Sequence, residues 1–265
     1  MLDQISDRAN ILGVGLTAIN MKRATAQLVS AVQEGRRGYV CVSGVHGVME
    51  AQRDGEFRRI LNGALMNTPD GMPMSWVGWA QGYEQMDRVY GPDLMLEISS
   101  RSVSLGLTHF YYGGKEGVAN LLAEKMKARF PGLQVVGTYC PPFRLLTERE
   151  MSVLRDRITA LKPDFFWIGL STPKQERCAE EFFRVFEEAK LFLGVGAAFD
   201  FHSGLIAQAP RWMQHAGLEW LFRLCCEPRR LWKRYLTNIP IFLWQIALQF
   251  AGLRRYELDA KNRGK

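Results

Sequence analysis

The chain has 265 residues, and 47% of them are hydrophobic, which is enough for a large packed domain and excludes a mainly disordered protein. The net charge is +7, and all of this surplus lies in residues 211–265, which carry 11 Lys and Arg against 4 Asp and Glu. Residues 1–210 therefore carry no net charge, which argues against a nucleic-acid-binding protein. A basic tail rich in apolar residues indicates contact with an anionic, partly apolar surface, such as a membrane or a lipid phosphate.

The N-terminal residues and the cysteines indicate where the protein resides. MLDQISDRANILG carries Asp3 and Asp7 and lacks the apolar core of a secretory signal, which predicts a cytoplasmic protein. The five cysteines are odd in number and include no CxxC pair. They are typical of reduced cysteines in a cytosolic chain.

Short apolar runs predict a parallel β-sheet. Thr147, with Glu150 three residues later, predicts the N-cap of the helix after the fourth run. Strands that alternate with helices of about 10–15 residues form βαβ units, so the fold class is predicted as α/β, a Rossmann-like parallel sheet flanked by helices. The predicted strands cover residues 39–43, 65–68, 109–112, 134–139, 164–170 and 191–196.

The alternation ends after Asp200, and the chain continues as helices with a basic face. We therefore predict an α/β catalytic domain over residues 1–210 and a basic helical appendage over residues 211–265, with a boundary near Pro210. Residues 239–253 are apolar but too few for the ~20 that a membrane-spanning helix needs.

Residues 239–253 favour a helix that lies in a membrane interface. Pro240 is predicted to open this helix, Gln245 and Gln249 share one of its faces, and Arg254 and Arg255 follow it. The alternative is a helix that packs on the protein's own core or on a sister subunit, so homo-oligomer formation stays open.

The loops after the strands are candidate ligand sites, because parallel α/β sheets bind ligands beyond the carboxyl ends of their strands. In this position Asp70 places a carboxylate inside Pro69-Asp70-Gly71, although an Asp-Gly pair by itself is usually only a turn. The other candidate loops are Ser43-Gly44, Gly113-Gly114, Ser171-Thr172-Pro173 and residues 196–200.

Several catalytic motifs are absent from the sequence. It contains no P-loop, no GxSxG nucleophile, no HxxxH or HExxH zinc spacing and no Asp-x-Asp pair for a metal-bound diphosphate. No GxGxxG follows the first strand, which argues against a dinucleotide-dependent oxidoreductase. The sequence thus predicts neither a metal nor a cofactor, and arginines and helix N-termini would neutralise any bound diphosphate.

The tail combines arginines with indole rings. Arg223, Arg230 and Arg234 recur at roughly helical intervals, with Trp220 and Trp232 between them. Guanidinium forks beside indole rings suit a lipid pyrophosphate at a membrane interface. The alternative is a solvated basic face in which Glu219 and Glu227 pair with these arginines.

Taken together and in this order, the motifs resemble those of the WecG/TagA/CpsF family (glycosyltransferase family 26). The resemblance runs from about Ile11 to Tyr235. The motifs that carry it are ILGVGLTAI, PDGMPMSW, RVYGPD, FYYGGKEG, TPKQE, FDFHSG and APRW…GLEWLFRL…EPRRLWKRY.

The resemblance implies a metal-independent glycosyltransferase that acts as a peripheral protein on the cytoplasmic, inner face of the cell membrane. Family members transfer N-acetylmannosamine or a hexose-type sugar, hexuronic acids included, from a UDP-sugar to a polyprenyl-diphosphate-linked sugar. Their products feed teichoic acid, enterobacterial common antigen, capsule or exopolysaccharide. The partners implied are the UDP-sugar donor, the lipid-linked acceptor and an anionic membrane surface. A non-catalytic module that binds a sugar nucleotide or a polyprenyl phosphate is the alternative.

The resemblance also assigns site residues. The family's catalytic base falls on Asp70, which implies inversion at the anomeric carbon. Where relatives often show Thr-x-Asn, this chain reads Ser43-Gly44-Val45-His46, so either His46 takes the Asn role or the donor specificity differs. The predicted substrate-binding residues are Ser43, His46, Arg88, Asp93, Gly113, Gly114, Gln175, Gly196, Asp200, Arg211, Arg223, Arg230 and Arg234.

Overall fold

The computed structural model describes residues 7–258. The strands are β1 Arg8–Ile11, β2 Val14–Thr17, β3 Gly38–Ser43, β4 Met66–Pro69, β5 Thr108–Gly113, β6 Gln134–Tyr139, β7 Phe165–Gly169 and β8 Leu191–Gly194. The helices are α1 Met21–Gln33, α2 Val45–Arg53, α3 Gly55–Gly63, α4 Met72–Ala80, α5 Gly91–Leu105, α6 Val118–Arg129, α7 Glu148–Leu161, α8 Lys174–Val185, α9 Ala198–His202, α10 Arg211–His215, α11 Glu219–Cys226 and α12 Pro228–Phe250.

Strands β3 to β8 form a six-stranded parallel sheet in the order β4-β3-β8-β7-β5-β6, and helices flank it. The predicted α/β fold is therefore confirmed, and each of the six predicted strands is present with its ends shifted by two residues at most. Thr147 caps α7 with a complete capping box, as its spacing to Glu150 predicts.

Aromatic side chains fill the core on one face of this sheet. Phe166 of β7 lies in register with Phe110 of β5 and Phe192 of β8, and the Phe110 and Phe166 rings stack with their centroids 5.0 Å apart. Phe182 of α8 and Phe186, directly after this helix, pack against the Phe166 ring. These fully buried rings stabilise the strands, whose carboxyl ends carry the candidate loops.

The contacts divide the chain into two compact units. The first comprises Val42–Tyr90 with the described parts of Met1–Met21 and Gln208–Lys265. The second comprises Lys22–Cys41 and Gly91–Ala207. The last segment of the first unit begins close to Pro210, while the division into a domain over residues 1–210 and an appendage over 211–265 stays a prediction.

Strands β1 and β2 form an antiparallel hairpin that the sequence pattern does not predict. Its turn residues Leu12 and Gly13 have φ angles of 53° and 81°, the conformation that a two-residue hairpin turn needs. Leucine in place of the usual Asn or Asp removes the turn signal from the sequence. Asn62 holds the hairpin: its Oδ1 accepts from Gly15 N at 2.8 Å, and its Nδ2 donates to Gly13 O at 2.9 Å.

The prediction that Pro240 opens a separate apolar helix is wrong. Helix α12 begins at Pro228, in the first turn where a missing N–H costs nothing, and continues past Pro240 to Phe250. Packing of one face holds the helix together across the second proline, because most helix stability comes from such tertiary contacts. The buried side chains of that face are Leu231, Asn238, Phe242 and Ile246.

The inner face of α12 packs on the protein's own first unit. Gln249 Nε2 donates to Asn10 O at 2.7 Å, and Gln249 Oε1 accepts from Leu12 N at 3.0 Å. The outer face carries exposed apolar side chains, which include Trp232, Leu236, Leu243, Trp244 and Phe250. Over residues 7–258, no helix is long and apolar enough to cross a membrane.

Candidate active site

Asp70 follows the last residue of β4, where the end of β3 holds it. Its backbone N donates to Ser43 O at 3.0 Å. A Cβ on Gly44 would lie 2.9 Å from Asp70 O, so the glycine allows the two strand ends to meet. Gly71 follows with a φ of 86° and is the N-cap residue of α4. The two loops therefore fix the Asp70 backbone, and Ser43 Oγ is buried without a hydrogen-bond partner among the described residues.

The segment 88–90 lies along the end of β4. Val89 N donates to Pro69 O at 2.8 Å, and Thr68 Oγ1 donates to Val89 O at 3.4 Å. This pairing places Arg88 and Tyr90 next to Asp70, with the Arg88 guanidinium 4.0 Å from the centroid of the Tyr90 ring.

Two tail helices contact this segment. Tyr90 OH donates to Glu219 Oε1 of α11 at 2.5 Å, and Arg88 Nη2 lies 3.2 Å from Glu219 Oε2. Both Arg88 terminal nitrogens donate to Gln214 Oε1 of α10, at 3.2 and 3.1 Å. The Arg88 side chain is only 8% exposed, so this ion pair is largely removed from water.

The protonation of Asp70 reflects these neighbours. Burial, and then the negative charge of Glu219, raise the pKa of Asp70 from its ordinary 3.8 to about 7, against the opposing charges of Arg88, Arg223 and Arg234. A carboxyl group that titrates near neutrality can accept a proton with useful driving force at physiological pH. Burial also raises the pKa of Tyr90, so its phenol remains a hydrogen-bond donor.

The predicted tail arginines occupy different surroundings. Arg223 of α11 and Arg234 of α12 are partly buried, and their charges act on Asp70. Arg211 is exposed and shares the Gln214 oxygen with Arg88 at 3.4 Å. Arg230 is exposed and pairs with Glu227 in the first turn of α12. The solvated pairing considered for the tail thus describes Arg230, whereas Glu219 pairs with Arg88.

His46 contacts helix α12. Its Nδ1 lies 3.2 Å from Asn238 Nδ2 and 3.8 Å from Glu50 Oε1, and Asn238 Oδ1 accepts from Arg53 Nη2 at 2.9 Å. His46 is thus fixed against the tail within the first unit.

In the second unit, two of the predicted substrate-binding residues are glycines whose backbone packs against a neighbouring strand. Gly113 at the end of β5 has a φ of 134°, and a Cβ there would lie 2.5 Å from Gly169 O at the end of β7. Gly114 N donates to that same oxygen at 3.0 Å. These glycines let the two strand ends approach more closely than any side chain would allow.

Gln175 lies at the start of α8 and is 4% exposed. Its Nε2 donates to Glu176 Oε1 at 3.0 Å, while its Oε1 is buried without a hydrogen-bond partner among the described residues. A Cβ on Gly196 would lie 3.2 Å from that Oε1. Gly196 therefore makes room for the Gln175 side chain.

The two predicted aspartates lie on neighbouring helices of the second unit. Asp93 is in the first turn of α5, and Asp200 is in α9. His202 Nε2 lies 2.9 Å from Pro92 O, which ties the FDFHSG motif to the start of α5.

Sequence reasoning missed Tyr90, Gln214 and Glu219 as members of the Asp70 site. Tyr90 and Glu219 lie within quoted motifs, RVYGPD and GLEWLFRL, but no spacing rule joins residues so far apart along the chain. The described residues contain no group of three or more His, Cys, Asp or Glu side chains arranged to hold a metal ion.

Comparison with known proteins gives a family match over most of the chain. A family model described as "Glycosyl transferase WecG/TagA/CpsF family" matches residues 9–256. The chain is 29% identical over 194 residues to an N-acetylglucosaminyldiphosphoundecaprenol N-acetyl-beta-D-mannosaminyltransferase of Bacillus spizizenii, covering 73% of this chain and 72% of that protein. A Bacillus subtilis protein of the same name is 26% identical over 187 residues, with 71% and 70% covered.

Proposed function

Because the chain belongs to the WecG/TagA/CpsF family of glycosyl transferases, we propose that it is an inverting glycosyltransferase with a UDP-sugar donor and a polyprenyl-diphosphate-linked sugar as acceptor. Both Bacillus relatives are named for N-acetylmannosamine transfer to N-acetylglucosaminyldiphosphoundecaprenol. UDP-N-acetylmannosamine is therefore the first donor to test, before UDP-hexoses and UDP-hexuronic acids. The product would enter cell-surface polysaccharide synthesis.

The observation that carries this proposal is the surroundings of Asp70. The carboxyl group lies at a strand end, has a pKa of about 7, and interacts with Arg88, Arg223 and Arg234. A base beside guanidinium groups provides both halves of the chemistry: one group to take a proton, and others to receive a negatively charged leaving group.

In the proposed reaction, the acceptor hydroxyl oxygen attacks the anomeric carbon of the donor and its proton passes to the Asp70 carboxylate. The bond from that carbon to the diphosphate oxygen breaks, and UDP leaves from the opposite face with the bonding electrons. A single displacement of this kind inverts the anomeric configuration. Asp70 must be deprotonated at the start of each turnover.

Two arginines favour binding of the diphosphate. Arg88 Nε and Arg234 Nε are buried and have no hydrogen-bond partner among the described residues. Buried donors normally find an acceptor, and phosphate oxygens suit the guanidinium group. We assign charge neutralisation to these side chains rather than to a metal. Full activity in EDTA is expected, and loss of activity that Mg²⁺ restores would contradict this assignment.

We further propose that the appendage over residues 211–265 binds the inner face of the cell membrane. Trp232 and Trp244 of α12 are 48% and 65% exposed, and Arg254 and Arg255 follow the helix. Indole rings favour the interface, and arginines favour anionic head groups. This surface would bring the Asp70 site to a lipid-linked acceptor.

The test of the proposed function is UDP release from a panel of UDP-sugars, with and without a detergent-solubilised polyprenyl-diphosphate-N-acetylglucosamine. We expect release from one donor only when the acceptor is present, and a β-linked disaccharide product if the donor is α-linked. If no UDP-sugar of the panel releases UDP when the lipid acceptor is supplied, the proposal is contradicted. Release without acceptor, at the same rate, would indicate a hydrolase.

A further inference from the structure

Glu219 adds a second carboxylate to a site otherwise rich in arginines. It is the first residue of α11, where a negative charge is favoured by the helix N-terminus. Both of its oxygens are engaged on the side of the segment 88–90: Oε1 accepts from Tyr90 OH, and Oε2 pairs with Arg88. Its side chain is 17% exposed, so this charge acts through little water.

The start of α11 is held in place independently of Glu219. Gly217, between α10 and α11, has a φ of 73°, and a Cβ there would lie 2.8 Å from the Trp76 ring of α4. Helix α4 begins just after Asp70 and Gly71. The close approach of Gly217 to Trp76 therefore brings the start of α11 against the helix that follows Asp70.

The balance of charge around Asp70 depends on Glu219. The groups that act on Asp70 are Glu219 and Arg223 from α11, Arg88 and Tyr90 from the segment after α4, and Arg234 from α12. Three guanidinium groups would strongly favour the ionised carboxylate and make it a poor proton acceptor. The charge of Glu219 opposes them.

We propose that Glu219 is a positioning residue of the transfer site, which holds Arg88 and Tyr90 beside Asp70 and places a negative charge among the guanidinium groups there. This inference rests on the proposed role of Asp70 as the catalytic base. It assigns to the tail, besides contact with the lipid, a direct influence on proton transfer at the end of β4.

The substitution Glu219→Gln separates charge from shape. Glutamine keeps an oxygen that can accept from Tyr90 OH, and Arg88 keeps its two contacts with Gln214. We expect the protein to fold, and the acid limb of the pH profile of kcat/KM to move down by about one pH unit. Because the base is weaker, the rate at pH 8 should fall about threefold, whereas below pH 6 the variant should exceed the wild type.

The matched control is Glu56→Gln, which removes an exposed carboxylate from α3 of the same unit. Its pH profile is expected to coincide with that of the wild type. An unmoved acid limb in folded Glu219→Gln would overturn the proposal, as would a rate lower than wild type at every pH. The pH profiles of the wild type and of Glu219→Gln should cross. A merely structural role of Glu219 would lower the rate without such a crossing.

A second variant covers the case in which Glu219→Gln does not fold. Glu219→Asp keeps the charge but draws the carboxylate back by one methylene, away from Arg88 and Tyr90. We expect an unmoved acid limb and a reduced kcat/KM. Unchanged rates in this variant would show that the placement of the carboxylate does not matter and would contradict the proposal.

A titration without substrate separates this inference from the proposed function. In protein labelled with ¹³C at aspartate carboxyl carbons, the Asp70 signal is identified by its loss in Asp70→Asn. Its titration midpoint should move down in Glu219→Gln. If that shift occurs but no donor supports transfer, the proposed function fails and the influence of Glu219 on Asp70 stands. If transfer occurs but the midpoint stays, this inference alone fails.

Discussion

The two compact units use different means to shape the positions singled out as functional. In the first, burial raises the pKa of Asp70, and charged side chains from three separate segments adjust it further. In the second, glycine backbone and the buried amide of Gln175 shape the strand ends. The first arrangement should therefore respond to changes of charge and pH, and the second to changes of backbone and volume.

The largest effect is expected for Asp70→Asn, which removes the proposed base and leaves its shape. We expect kcat to fall by about 10³-fold, within the range that general base catalysis contributes. Acceptor-dependent UDP release would measure it, with Glu56→Gln as the control for loss of one carboxylate. Retention of more than a tenth of the wild-type rate would show that Asp70 is not the base.

The corresponding change in the second unit is Gly113→Ala. The added Cβ would meet Gly169 O at 2.5 Å on a backbone with a φ of 134°, so we expect a loss of about 3 kcal/mol in the free energy of unfolding. Gly117→Ala is the matched control, since Gly117 also has a positive φ, 81°, but nothing lies within 4 Å of the added carbon. It should cost about 1–2 kcal/mol. Urea denaturation would measure the free energy of unfolding of both variants. Equal losses would show that the contact between the added Cβ and Gly169 O is not the cause.

A further effect is expected on the pH dependence of stability. The pKa of Asp70 in the folded protein, about 7, lies above its ordinary value of 3.8. The folded state thus binds more protons between these values, and this contribution to stability is lost as the pH rises through 7. Asp70→Asn should therefore be more stable than the wild type at pH 8, by on the order of 4 kcal/mol, and the gap should close near pH 4.

Thermal unfolding at several pH values would measure this gap. If the difference in stability between Asp70→Asn and the wild type is the same at pH 8 and pH 4, the site does not disfavour the charged form of the carboxyl group.

The smallest effect concerns the tail surface. Trp244→Ala should weaken binding to liposomes that contain anionic lipid by about fivefold, because one indole ring no longer enters the interface. Phe143→Ala removes a fully exposed aromatic ring from the second unit and should leave binding unchanged. Sedimentation with liposomes would compare them. Equal losses in both variants would indicate non-specific adhesion rather than a membrane-binding face of α12.

The sheet could be predicted because its strands are short apolar runs between clear helical segments. The β1–β2 hairpin could not, since all of β2 is buried and Leu12 occupies a turn position that usually takes Asn or Asp. The continuity of α12 could not be predicted for a different reason. In the sequence, Pro240 indicates the start of a helix, but buried side chains on both sides of it hold one continuous helix together.

The site could be predicted only in part. Asp70 becomes a candidate through its place at a strand end and through the family motif, both of which are local. Glu219 lies 129 residues from its partner Tyr90, and no periodicity of a single helix or strand reports a contact at that distance. Arg230 is exposed and Arg234 is partly buried. This difference depends on how α12 packs, which the sequence pattern does not specify.

The long-range contacts of the first unit have a consequence for its synthesis. Asn10 and Leu12 bond to Gln249 and Tyr256 across separations of 237 to 246 residues, and Glu219 and Arg234 complete the surroundings of Asp70. During synthesis, the early strands therefore depend on partners that are made 237 to 246 residues later, a condition that slows folding and exposes strand edges. The surroundings of the proposed base, Asp70, therefore form only after distant parts of the chain have come together.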